Sequence, residues 1–155
     1  MRYVVVATAM MVCISVSASA KEILPDKVIT TCKNAKGKSY YHQGGWEEDK
    51  IAGGKTALTI LNNGKFDILF WDVRKEPISI FKSGGEFYPI RRGKRSITFF
   101  HITRRKTIEL FTFWTDSKGN SKLATIMSRG GNQPSWGHKS GILIEDCTPI
   151  DFSGF

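Results

Sequence analysis

The sequence predicts an all-β domain: a single small antiparallel meander closed, or nearly closed, into a β-barrel of about eight to ten strands. Three observations predict it. Apolar residues alternate with polar ones or fall in short runs, Gly, Asn, Asp and Ser interrupt those runs at intervals of about ten residues, and no stretch keeps helical spacing over twelve residues. Closure is favoured because an open sheet of many short strands exposes its edges. A two-sheet β-sandwich is the alternative arrangement of the same strands.

The first expected strands are Val28–Lys33 and Lys38–His42, and the polar run Trp46–Ile51 that follows has enough helical character for one turn. Thr56–Leu61 and Lys65–Asp72 flank Asn62-Asn63-Gly64, a tight-hairpin signal because Asn and Gly tolerate the positive φ of primed turns. Ile78–Lys82 and Glu86–Arg91 flank Ser83-Gly84-Gly85 in the same way, and Ser96–Thr103 comes next. Lys106–Thr115 and Lys122–Arg129 are joined by the turn residues Asp116 to Asn120, and Gly141–Cys147 closes the series. In Lys106–Thr115 one face carries Ile108, Leu110, Thr112 and Trp114, while the other carries Thr107, Glu109, Phe111 and Phe113. Both faces are partly apolar, which predicts a strand covered on both sides or a barrel wall whose outside meets another element or a partner.

Residues 1–20 have the parts of a cleavable secretory signal: Arg2, an apolar run from Tyr3 to Ile14, and the small exit Ala18-Ser19-Ala20. The run is short of the ~20 apolar residues that span a bilayer. Cys13 lacks the flanking residues of a lipidation site. The expected mature chain, residues 21–155, is a single periplasmic or secreted β domain without a transmembrane segment. Among 23 basic and 14 acidic residues, net +9, the leader holds only Arg2, so the mature charge is +8. Cys32 and Cys147 remain after cleavage and have one possible pairing, a bridge closing nearly the whole domain.

Two basic clusters stand out, Arg91, Arg92, Lys94, Arg95 and Arg104, Arg105, Lys106. Either attracts an anionic partner. They flank one strand and therefore sit at its opposite ends, roughly 25 Å apart at 3.3 Å per residue, so an extended anionic surface engages both and a compact pocket does not. Four Trp residues and ten Phe suit a β core, with Trp71, Phe70 and Trp114 the first candidates for an apolar ligand site at a barrel mouth. The long Gly-rich stretch Ser128–Trp136 offers Arg129 and Trp136 as a contact loop.

His42, His101 and His138 have no metal-ligand spacing, and nucleophile elbows, phosphate-cradling loops and free catalytic thiols are absent from the sequence. Adjacent acids such as Glu145 and Asp146 point to opposite faces of a strand, leaving Asp49, Asp67, Asp72 and Glu109 as the acids that only folding can bring together. The chain is expected to need no cofactor or metal and to be non-catalytic.

Trp46 to Gly54, Asp67-Ile68-Leu69-Phe70, Ser83-Gly84-Gly85, the Phe111–Trp114 strand and the late Cys147 together resemble small exported β proteins of Gram-negative proteobacteria, a resemblance that spans most of residues 27–148 and brings no activity with it. Thr31-Cys32, Gly37 and Tyr40-Tyr41 are similar to the opening strands of the periplasmic inhibitors of C-type lysozyme, which implies a small disulfide-bearing barrel. The Ser-Gly stretch and Lys by which those inhibitors enter the lysozyme cleft have no counterpart here, and a charge of +8 repels a basic lysozyme.

These readings lead to a binding protein for a small amphipathic molecule or an anionic envelope component, lipid or glycan. The alternatives are a protein-interaction module, such as a hydrolase inhibitor or secreted effector with a secreted protein as partner, and an enzyme built on scattered carboxylates. An exported chain is not expected to meet nucleic acid.

Overall fold

The computed structural model describes residues 25–42, 44–51, 53–71, 76–104, 107–130, 138–153 and 155. The expected signal segment 1–20 with Cys13, and Asp72, Arg105, Lys106 and Trp136, lie outside the described residues. Among the described residues ten antiparallel strands follow one another: β1 (Pro25–Tyr41), β2 (Gly45–Lys50), β3 (Lys55–Leu61), β4 (Phe66–Trp71), β5 (Ile78–Ser79), β6 (Glu86–Gly93), β7 (Ser96–Ile102), β8 (Ile108–Thr115), β9 (Ser121–Arg129) and β10 (Lys139–Cys147). They form one strongly curled half-barrel sheet in the order β5-β4-β3-β1-β10-β9-β8-β7-β6, with β2 joined to β1.

Hairpin turns fall where Gly and Asn permit them, with positive φ at Gly64, Gly84 and Gly119. Asp116 organises the β8–β9 turn by accepting from the backbone N–H groups of Lys118 and Asn120 at 2.8 and 2.9 Å.

Three elements differ from the sequence reading, one being the expected strand Ile78–Lys82, which pairs only over β5 before the chain turns at Ile80. The expected separate strands Val28–Lys33 and Lys38–His42 are one seventeen-residue strand, β1, interrupted by a bulge at Asn34 and Ala35, where Asn34 takes φ 61°. Gly37 allows this continuity: a Cβ there would lie 1.8 Å from the Ile142 carbonyl oxygen on β10. The run expected to make a helical turn is instead strand β2, because Gly45 to Lys50 pair residue by residue with Tyr41 to Lys36 and Trp46 packs edge-on to Tyr40 at 5.6 Å.

The inner face of the curl holds the core. Leu58, Ile68, Ile97, Phe99, Phe113 and Leu123 are fully buried there, and Phe66 of one wing meets Phe99 of the other at 5.2 Å. The C-terminal segment folds back over this cluster, with Phe155 stacked on Phe66 at 5.5 Å and Phe152 beside it. Aromatic pairs in these orientations contribute beyond the area they bury.

Cys32 and Cys147 are direct register partners on β1 and β10, with Cα atoms 3.9 Å apart and joined as a disulfide. The bridge ties the first long strand to the last at the middle of the sheet order. Loop entropy for its 115-residue separation gives a stabilisation of up to about 4–5 kcal/mol.

Candidate docking face

Strand alternation sends every second side chain away from the core, and β6 to β10 keep apolar residues on that outer side as well. Register places Tyr88, Phe100, Leu110, Ile126 and Ile142 in one row across β6, β7, β8, β9 and β10. Ile102 and Ile108 are paired on one flank of this row, and Thr98, Thr112, Ala124 and Ile144 form the next row on the other. Ile108 and Ile126 are each 45% exposed and Ile142 is 42% exposed. Single exposed apolar residues are ordinary, whereas a contiguous field of them marks an interaction surface. This is the outside that the two apolar faces of Lys106–Thr115 foretold. No other described strand is layered over it.

The rows turn charged as they cross onto β1 and β2. Ile142 is opposite Lys38, and Lys38 is opposite Glu48, their charged ends 3.4 Å apart. Ile144 is opposite Lys36, which is opposite Lys50. On the far flank Arg91 sits beside Thr98, and Arg92, Lys94 and Arg95 follow around the β6–β7 turn. The apolar field is thus bordered by cations on two sides.

The anion-binding candidates divide as their spacing requires. Arg91, Arg92, Lys94 and Arg95 are exposed at one end of β7 and Arg104 is exposed at the other. Two of these cations also make structural bonds: Arg95 donates to the Asp116 carbonyl, and Arg104 Nε donates to the Gly84 carbonyl at 3.1 Å.

The aromatic candidates do not share a cavity. Phe70 points inward opposite Thr56, while Trp71 and Trp114 lie on the outer face in a single row, Trp114, Lys122, Asp146, Lys33, Lys55, Trp71. Five strand steps separate the two indoles, roughly 24 Å at 4.8 Å per step. Lys55 Nζ sits 4.9 Å from the Trp71 ring centre, a cation–π contact. Arg129 is exposed at the end of β9, opposite Lys139.

Sequence reasoning missed two polar groupings on the inner face. Asp49 accepts from Ser39 Oγ at 2.6 Å and Lys139 Nζ at 2.7 Å. Burial works against the Asp49 charge, but the bonds from Lys139 and Ser39, with the lysine's charge, outweigh it and hold the carboxyl below its ordinary value. Burial likewise opposes the Lys139 charge and is outweighed by Asp49, so the ammonium is held above its ordinary value. His101, buried, shares a 3.0 Å hydrogen bond with Glu109, and Phe87 meets its ring edge-on.

Their acids, Asp49 on β2 and Glu109 on β8, are four strand steps apart, and Asp67 is occupied elsewhere, accepting from Ser79 Oγ at 2.6 Å and the Phe81 N–H at 2.8 Å to clasp β5 onto β4. Asp49, Asp67 and Glu109 therefore do not converge. His42 and His138 face each other with ring centres 5.8 Å apart, and among the described residues no group of three or more His, Cys, Asp or Glu is placed to hold a metal ion.

No family model, curated protein or solved structure matches the chain.

Proposed function

We propose that this chain is an exported, non-catalytic binding protein of the cell envelope that docks the outer face of β6–β10 onto an anionic lipid layer. The observation that carries this reading is the unbroken apolar row Tyr88, Phe100, Leu110, Ile126 and Ile142, with Lys38 next in line on β1 and Lys36 and Lys50 continuing the adjacent row through Ile144. Apolar side chains that reach the acyl boundary and cations that meet headgroups are the two components of interfacial binding.

The core supports an external site: Phe99, Phe113, Leu58 and Ile68 occupy the inside of the curl and the C-terminal phenylalanines pack over it, so an amphipathic ligand is better accommodated on the outer wall than in a barrel mouth. A disulfide is consistent with a compartment outside the cytoplasm, and among the described residues no helix is long and apolar enough to cross a membrane.

Vesicle co-sedimentation tests the reading. The oxidised mature protein is expected to pellet with phosphatidylglycerol vesicles, to stay in solution with phosphatidylcholine vesicles, and to lose binding as salt rises. Ile126→Ser with Ile142→Ser is expected to weaken binding by at least about tenfold while leaving the melting temperature nearly unchanged. Equal binding of the double variant and the parent would rule out this face as the docking surface.

A further inference from the structure

At residues 33–36 β1 changes partner, pairing with β3 up to Lys33 and with β2 from Lys36 onward. The fork brings together four lysines remote in sequence. Lys33 is directly opposite Lys55 on β3, and Lys36 is directly opposite Lys50 on β2. The bulge at Asn34 and Ala35 keeps both β1 lysines on the outer face, since Lys33 is opposite Asp146 and Lys36 opposite Ile144, two residues apart on β10.

Local bonds fix the arrangement. The Ile51 N–H donates to the Ala35 carbonyl at 3.1 Å, pinning the end of β2 to the bulge. Gly53, at φ 71°, and the buried Gly54 make the corner that returns the chain from Lys50 to Lys55. A Cβ on Gly54 would lie 2.5 Å from the Ile51 side chain, so the corner is closed tightly enough to need glycine.

Like charges directly opposite across strands are destabilising. Two such pairs meet here, and the acids nearby are engaged with other groups: Glu48 with Lys38, Asp146 with Lys122, and Asp49 on the other face with Ser39 and Lys139. Among the described residues Lys33, Lys36 and Lys50 have no carboxylate partner, and Lys55 rests on Trp71.

We propose that this lysine fork is a phosphate-binding subsite, and that its ligand is a lipid carrying a phosphomonoester head. A dianionic phosphate relieves both lysine pairs at once, which a singly charged phosphodiester does only in part. The position fits an amphiphile: Lys36 is opposite Ile144 and Lys38 opposite Ile142, so a head held at the fork puts its chains on the apolar field. This assignment rests on the docking reading above and adds to it the chemistry of the headgroup.

The test compares vesicles of phosphatidylcholine containing equal fractions of either phosphatidic acid or phosphatidylglycerol, using the oxidised mature protein, Lys36→Gln with Lys50→Gln, and Ile126→Ser with Ile142→Ser. The parent is expected to bind the phosphatidic acid vesicles about tenfold more tightly, and the lysine variant to lose that preference while still binding phosphatidylglycerol vesicles. All four lysines are exposed, so the variant is expected to keep the parent's circular dichroism and to melt no lower.

Unchanged preference in the lysine variant, or no preference in the parent, overturns the subsite and leaves the docking face standing if the isoleucine variant still loses binding. If the parent binds no vesicles, docking itself fails. Inorganic pyrophosphate supplies the remaining arm: a rise in melting temperature in the parent and not in the lysine variant, without vesicle binding, would assign the fork to free phosphates and overturn the lipid source.

Discussion

Glu145 is buried on the inner face, where it accepts a hydrogen bond from Thr56 Oγ1 at 3.0 Å. Burial pushes its carboxyl up to about 6 from the ordinary 4.5, against the smaller opposing pull of Thr56. A folded-state pKa above the unfolded one means that the native chain favours the protonated acid. The associated stability is complete below pH 4.5 and is lost as pH rises through about 6, which amounts to about 2 kcal/mol at pH 8. Glu145→Gln is therefore expected to be neutral at pH 4.5 and to stabilise by about 2 kcal/mol at pH 8, read as the difference between denaturation curves at the two values. Asp49 acts in the other direction and in another window: its lowered pKa contributes stability above the ordinary 3.8 that is lost only in more acidic solution.

The sequence showed part of this residue chemistry. Adjacent acids on a strand were expected on opposite faces, and Glu145 does point inward while Asp146 points outward to Lys122. The raised pKa of Glu145 was not visible, because it depends on Thr56, eighty-nine positions away, and on how deeply β10 sits in the sheet. The lysine fork was hidden for the same reason: Lys33, Lys36, Lys50 and Lys55 form no run in the sequence and meet only through a bulge and two strand registers.

Among the elements, strand positions were legible wherever alternation was strong. β7 alternates buried and half-buried residues along its whole length, and the hairpin residues Asn62 to Gly64 and Asp116 to Asn120 turn where their backbone preferences require. β1 and β2 were misread because their pattern is set by neighbours rather than by local periodicity. Asn34-Ala35-Lys36-Gly37 looks like a break between two strands, yet Gly37 is the residue that lets β10 pass close enough to pair. Gly37→Ala must displace the Ile142 carbonyl and is expected to cost about 1–3 kcal/mol, checked by urea denaturation. A cost below about 0.5 kcal/mol would show that the two strands separate there without penalty.

Over the whole molecule, the all-β class and the Cys32–Cys147 pairing were both readable, since a single meander and two cysteines outside the expected leader leave few arrangements. The outer face proposed for docking was not. An aromatic-rich strand suggests a ligand cavity as readily as a core, and the deciding facts are the packing of Phe66 on Phe99 and the return of Phe152 and Phe155 over the inner face. Phe99→Ala is expected to destabilise by about 3–5 kcal/mol, measured by thermal or urea unfolding. Cys32→Ser with Cys147→Ser is expected to lose up to about 4–5 kcal/mol, with the sheet otherwise retained by its backbone ladder.

The central claim, that the outer wall of β6–β10 docks on an anionic lipid layer, is tested most directly by isoleucine methyl NMR of residues 21–155 with phosphatidylglycerol nanodiscs containing a spin-labelled lipid. Broadening is expected at Ile108, Ile126, Ile142 and Ile144, with Ile68 and Ile97 of the inner face spared. Equal broadening of all six methyl groups, broadening confined to other parts of the molecule, or none at lipid concentrations that saturate co-sedimentation would contradict the account.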